Sequence, residues 1–220
     1  MSFGQNGLNI QGRIRVVVPP AFHDRDVIAE LAALHHLLVV RAVFGDDRAG
    51  NGLTLNVSAG AIKKLAAQRS AKQHLVPFAN FLAVRFADAN IEVKTKLTWL
   101  KPRADNNVEE IVATGEALDD ELELRPLGRV TLTRHALEQF AIRSNRPEAY
   151  SDAWRSIRIV LSNRLEERVA SEETRLARLE RHGIEGRVFY HPDSRWNFVV
   201  TEAEGEPRRI VTAYHDNHRR

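Results

Sequence analysis

GRVFYH (186–191), WNFVVTEA (196–203) and RRIVTAYH (208–215) decide how the C-terminal part of this chain folds. Each stretch is rich in β-branched and aromatic residues. They are separated by PDSR and by EGEP, connections that suit an antiparallel three-stranded meander. Working upstream, GRVTLT (128–133) reads as a further strand and RHALEQFAIR (134–143) as a helix. SDAWRSIRIVLSNRL (151–165) opens on a serine suited to a helix cap and carries an apolar stripe of Trp154, Ile157, Val160 and Leu161. SEETRLARLERHG (171–183) reads as a charged surface helix stopped by Gly183. Strand, helices and sheet in that order predict an α+β unit.

The N-terminal part repeats the mixture. RIRVVV (13–18) reads as a strand halted by Pro19-Pro20, followed by a helix from about Val27 to Phe44 capped by Asp24 or Asp26. GDDRAGNG (45–52) is a loop, LTLNV (53–57) a short strand, and Ser58 a cap for a helix holding Ile62, Leu65 and Ala66. A further helix is expected over Pro77–Phe86. IEVKTKLTWL (91–100) alternates as a half-buried strand, and VEEIVATG (108–115) is expected to return along it as a hairpin. EALDDELELRP (116–126) is acidic and ends in proline, so it marks a boundary. The expected architecture is two small α+β domains, residues 1–126 and 127–220, with helices packed on antiparallel β-sheets.

At 220 residues and 43% hydrophobic content the chain can bury a real core. It contains no cysteine, which excludes disulfide scaffolds, thiol nucleophiles and thiolate metal sites. Its longest apolar run, Leu37–Phe44, is broken by Arg41 and is far too short to span a membrane. The polar start carries no signal-peptide pattern, and the expectation is a cytoplasmic protein without a membrane partner. Residues 1–126 balance 6 Lys and 9 Arg against 15 acidic residues, whereas residues 127–220 hold 17 Arg, no Lys and 14 acidic residues. An all-Arg basic complement suits phosphate recognition, because guanidinium offers a planar fork of donors.

Phosphate-loop, dinucleotide, nucleophile-elbow, zincin and calcium-loop motifs are all absent, so no metal or cofactor is expected. Adjacent His35 and His36 point about 100° apart on a helix and read as structural. In the C-terminal part, His135 falls in the first turn of its helix, where the dipole favours nearby anions. Arg143 lies two turns on. On the last strand, period-two alternation puts Ile210, Thr212 and Tyr214 on one face and Val211, Ala213 and His215 on the other. Tyr190 and His191 end the first strand of the meander. These residue types match metal-free RNA cleavage: a base for the 2′-hydroxyl, an acid for the leaving oxygen, and cations for the phosphate.

TLTRHALEQFAIR, a second helix, then RVFYHP, WNFVVTEA and RRIVTAYH together resemble the barnase–EndoU–colicin–RelE-like superfamily of small ribonucleases and toxins. The resemblance covers about residues 128–216. It implies helices preceding a four-stranded antiparallel sheet, with His135 as acid or base, Arg143 as phosphate binder, and Thr212 and Tyr214 as the last-strand pair. Arg134, His191 and His215 take flanking substrate-binding roles on this reading. It further implies a metal-independent endoribonuclease of toxin or phage-defence type, with RNA as substrate and an antitoxin or immunity protein as partner. The alternative is a non-catalytic nucleic-acid- or protein-binding module.

Overall fold

The computed structural model describes residues 2–5, 10–94, 108–169, 186–202 and 207–216. It is an α+β protein whose chain divides into two compact units, Met1–Ala83 with Ala89–Asp119, and Val84–Asp88 with Asp120–Arg220. No helix among the described residues is long and apolar enough to cross a membrane.

In the first unit, β1 (Ser2–Gln5) pairs antiparallel with β2 (Ile10–Val17), which pairs in parallel with β5 (Val108–Val112). Ile14 meets Ala33 of the following helix and Leu37 just beyond it, with Val16, Val43 and Ile111 packed around them. That helix, α1 (Arg25–His35), stops well short of Phe44: a wider π-helical turn, His36–Val40, follows, closed by Arg41 N–H donating to His36 O at 2.8 Å. Asp24 precedes α1 in a left-handed conformation (φ 54°), and its carboxylate does not cap. It takes Lys72 Nζ at 2.5 Å and His74 Nε2 at 3.0 Å instead. β3 (Thr54–Val57) leads into α2 (Gly60–Ala66). The expected Ser58 cap is not formed, because its hydroxyl donates to Glu30 at 2.6 Å.

Pro77 lies in a 3-10 segment, Gln73–Ala79, that runs into α3 (Asn80–Val84), so the anticipated continuous helix is split. The 3-10 turn is compatible with a residue that lacks an N–H donor. Phe78, Phe81, Leu82 and Phe86 are nevertheless all buried, as their spacing requires. β4 (Asn90–Val93) pairs in parallel with β3. Two parallel pairings, β3 with β4 and β2 with β5, stand among the described residues, and the expected hairpin of 91–100 with 108–115 rests mainly on residues outside them. Residues 95–107 lie outside the described residues.

The second unit is built on a six-stranded sheet in the order β6-β7-β11-β10-β9-β8. Its strands are β6 (Glu121–Leu124), β7 (Gly128–Leu132), β8 (Glu166–Arg168), β9 (Arg187–His191), β10 (Trp196–Thr201) and β11 (Arg208–His215). The meander β9-β10-β11 is antiparallel, as its loops predict; β8 adds an unexpected antiparallel strand on β9, and β7 joins β11 in parallel. The acidic stretch is not only a connection. ELEL alternates with Glu121 and Glu123 exposed and Leu122 and Leu124 buried, which makes it an edge strand on β7. The charged segment 171–183 lies outside the described residues.

α4 (Arg134–Arg143) and α5 (Tyr150–Leu161) bury Ala136, Leu137, Phe140 and Ala141, and Ala153, Trp154, Ile157 and Leu161. α4 is anchored at its start by Thr133, whose hydroxyl accepts from Ala136 N–H at 3.1 Å and lies 3.1 Å from Ile210 O as donor. α5 begins without a serine side-chain cap; Ser151 N–H donates to the Asp88 carboxylate at 2.6 Å. Arg85 pairs with Asp120 at 3.1 Å and lies over the Trp154 ring at 4.8 Å. These contacts explain why residues 84–88 belong with the C-terminal sheet.

Candidate functional site

The pairing of β10 with β11 slips by one residue. Val199 is opposite Thr212 and Val200 is opposite Ile210, leaving Val211 as the extra residue of a β-bulge. A bulge interrupts period-two alternation, so Thr212 and Tyr214 keep the shared face expected of them but part from Ile210. Ile210 joins Ala213 and His215 on the face that carries Trp196, Phe198 and Val200. This is the helix face: Phe140 of α4 packs on Trp196 with ring centroids 4.2 Å apart. Arg209, Thr212 and Tyr214 share the opposite face with Asn197, Val199 and Thr201. Register places Tyr190, Val188, Glu166 and Arg168 on that face too.

The far end of this face holds a connected polar group. Asn197 is fully buried on β10, a position where both ends of the amide need partners. Its Oδ1 accepts from Arg168 Nη1 at 3.1 Å, and its Nδ2 donates to Asp216 Oδ1 at 2.9 Å. Arg168 Nη1 also donates to Asp216 Oδ2 at 3.0 Å, and its guanidinium lies 3.5 Å from the centre of the Tyr190 ring. Tyr214 sits opposite Asn197 in the ladder and is partly exposed. Gly186, at the mouth of β9, matters for spacing: a Cβ there would fall 2.5 Å from Val199 Cγ1, beside Thr212.

The residues expected to form one cleft do not converge. His135 is exposed on α4, on the helix side of the sheet, whereas Thr212 and Tyr214 project from the other side. Arg143 serves the fold, donating to Ala213 O at 2.7 Å and to Gln139 at 2.5 Å. Arg134 pairs with Glu138 at 2.8 Å and stacks on Tyr150 at 3.6 Å. His191 is buried, and its Nδ1 accepts from Ser194 N–H at 3.0 Å, which fixes the proton on Nε2 in the neutral ring. That bond shapes the 192–195 turn, where Arg195 adopts φ 56°. His215 lies edge-on to Trp196 at 5.3 Å, on the helix face.

Elsewhere the charged candidates are committed to partners. His35 Nε2 lies 2.9 Å from Asp119 O and its ring meets Phe81 edge-on. His36 Nε2 meets Glu109 at 2.7 Å, and that hydrogen bond holds the Glu109 carboxyl below the ordinary carboxylate range against the opposing effect of burial. Glu167 is likewise held low, chiefly by its hydrogen bond from Arg187 at 2.5 Å. Among the described residues of the C-terminal unit Arg129, Arg134, Arg155, Arg164, Arg168, Arg187 and Arg208 each pair with an acidic residue, so much of the arginine there is engaged internally. Arg168, Asn197 and Asp216 escaped sequence reasoning. The available signal was Asn197 itself, a lone amide inside WNFVV that must be satisfied if buried. Comparison with protein-family models, curated proteins and solved structures returned no match.

Proposed function

We propose that the C-terminal unit binds single-stranded RNA across the sheet face that carries Tyr190, Asn197, Thr212 and Tyr214. The observation that supports this most is the bulge at Val211, which sets Tyr214 beside Asn197 on the face turned away from α4. Unpaired bases stack on tyrosine rings displayed by a sheet, while arginine meets the backbone and hydroxyl and amide groups meet sugar and base edges. Tyr214 is the stacking platform, Thr212 a hydroxyl contact, and Arg168 the cation.

A second reading, metal-independent cleavage of that RNA, is favoured by one observation: His135 is exposed at the start of a capped helix. A base and an acid must flank one phosphate, and the tyrosines lie across the sheet from His135, so binding is the stronger reading.

One experiment separates them. A labelled 12-nucleotide RNA is titrated with wild type, Tyr214→Ala and His135→Ala, read by anisotropy, and each sample is then run on a denaturing gel. Stacking is worth about 1–3 kcal/mol per base, so Tyr214→Ala should weaken binding by roughly 5–150-fold, with intact RNA throughout. Equal binding by Tyr214→Ala overturns the assignment of the face. RNA cut by wild type and spared by His135→Ala favours the nuclease reading. DNA of the same sequence, bound equally well, removes the claim that RNA is the preferred strand.

A further inference from the structure

On the same face, and resting on the RNA reading above, we propose that Asp216 occupies a phosphate subsite formed by Arg168 and Asn197, and that an RNA phosphate binds by displacing the Asp216 carboxylate. Each carboxylate oxygen has its own donor: the Asn197 amide at 2.9 Å on Oδ1 and the Arg168 guanidinium at 3.0 Å on Oδ2. Two convergent donors on two geminal oxygens form a receptor for any oxyanion with paired oxygens, and phosphate presents the same pair. The receptor is built rather than incidental. Asn197 is fully buried, and its amide orientation is fixed because Oδ1 accepts from the same Arg168 Nη1 at 3.1 Å. Arg168 is in turn seated on the Tyr190 ring at 3.5 Å.

The occupant is the solvent-facing anion of the group, and a competitor can reach it because Arg168 beside it is itself 43% exposed. Asp216 follows the last residue of β11, and its side chain is 34% exposed, against none for Asn197. It is held by the receptor side chains and by one backbone bond, its N–H donating to Arg195 O at 3.2 Å. A carboxylate in this position repels a second anion, so the chain's own Asp216 competes with RNA for Arg168. Exchange of one anion for another leaves Arg168 and Asn197 satisfied in both end states, with no buried donor left unmatched in either.

The test uses the full chain. Asp216→Ala vacates the receptor and should bind the 12-nucleotide RNA about tenfold more tightly, the scale of one charge-assisted hydrogen bond released for the ligand. Its log-affinity should fall more steeply with log salt, by about 0.7 for one extra phosphate contact on a single strand. Adding Arg168→Ala should abolish the gain. Inorganic phosphate, titrated without RNA, should shift the Asn197 side-chain amide NMR signals in Asp216→Ala and leave wild type unchanged at the same concentration. Thermal melting confirms folding, and Asp216→Ser is measured in the same way if the alanine variant melts early.

Wild-type RNA affinity in Asp216→Ala with an unresponsive Asn197 amide overturns the exchange, while loss of binding in Tyr214→Ala would still uphold the RNA reading. Phosphate-dependent shifts at Asn197 in a protein that binds no RNA would do the reverse, upholding the receptor and overturning the RNA reading.

Discussion

The Arg85–Asp120 pair offers a quantitative test of how the C-terminal unit is assembled. The two side chains are 5% and 10% exposed and 3.1 Å apart. Arg85 also lies 4.8 Å from the Trp154 ring centre and 5.1 Å from that of Phe86. Removing Arg85 leaves the Asp120 carboxylate without this cation in a buried setting, a loss of about 3–5 kcal/mol. That is a large fraction of a total stability of about 5–15 kcal/mol. Arg85→Met should fall in this range, and Asp120→Ala should destabilise as well. The double variant Arg85→Met/Asp120→Leu should lie within about 1–2 kcal/mol of wild type or exceed it, because well-packed apolar groups often replace a buried pair without loss. Asp120 Oδ2 is buried without a hydrogen-bond partner among the described residues, which places the intact pair toward the weak end. Urea unfolding followed by tryptophan emission in a Trp99→Phe background reports on Trp154 and Trp196. Single variants within 1 kcal/mol of wild type, or a double variant as poor as the sum of the two, would refute the claim that the charges are buried and mutually compensating.

Other outcomes follow from named contacts. Thr133→Ala should destabilise the same unit by about 1 kcal/mol, the usual worth of an N-cap, and Thr133→Ser should recover most of it in the same urea titration. Phe140→Ala empties the space against Trp196 and should cost about 3–5 kcal/mol, with a red-shifted Trp196 emission; an unchanged spectrum would contradict the 4.2 Å stacking. Asp24, Glu109 and Glu167 all have carboxyls held below their ordinary values by hydrogen bonds from Lys72, His36 and Arg187. A carboxyl depressed on folding contributes stability above its unfolded value, near 4.5 for glutamate, and loses it as pH falls through its folded value. The melting temperature should therefore decline below about pH 4.5, and Glu109→Gln should decline less steeply, a difference that a pH series of thermal melts measures directly.

Much of the C-terminal unit was legible because its elements are local. Helix α4 matches RHALEQFAIR, and the three meander strands fall where alternation and turn residues put them. The pairings that sequence reasoning missed depend on distant partners. ELEL has perfect period two, but four residues inside an acidic run read as solvated chain until β7 is there to bury Leu122 and Leu124. VEEIV is held by a partner far away in sequence, since β2 takes it in parallel and Ile111 joins Ile14 and Leu37. α1 is amphipathic through Phe44 by periodicity alone, and only the π-helical turn after His35 ends it early.

The candidate site was misread for a sharper reason, and one residue accounts for it. In RRIVTAYH, strict alternation groups Ile210 with Thr212 and Tyr214. Burial contradicts that grouping, since Ile210 and Ala213 are both fully buried although three positions apart. An odd spacing between two residues on one face of a strand requires an extra residue between them, which Val211 supplies. The same residue moves Ile210 under α4, where its carbonyl accepts from the Thr133 hydroxyl, and leaves Arg209 with Thr212 and Tyr214 on the far face. The bulge thus fixes two things together: the seating of α4, and the alignment of Tyr214 with Asn197. A chain with strict alternation could keep Tyr214 beside Asn197 only by turning Ile210 away from the core, at the expense of a buried aliphatic side chain worth about 1.5–3 kcal/mol. Fold stability and the polar face therefore depend on one extra residue, and neither could be read from the strand's pattern without its partner β10.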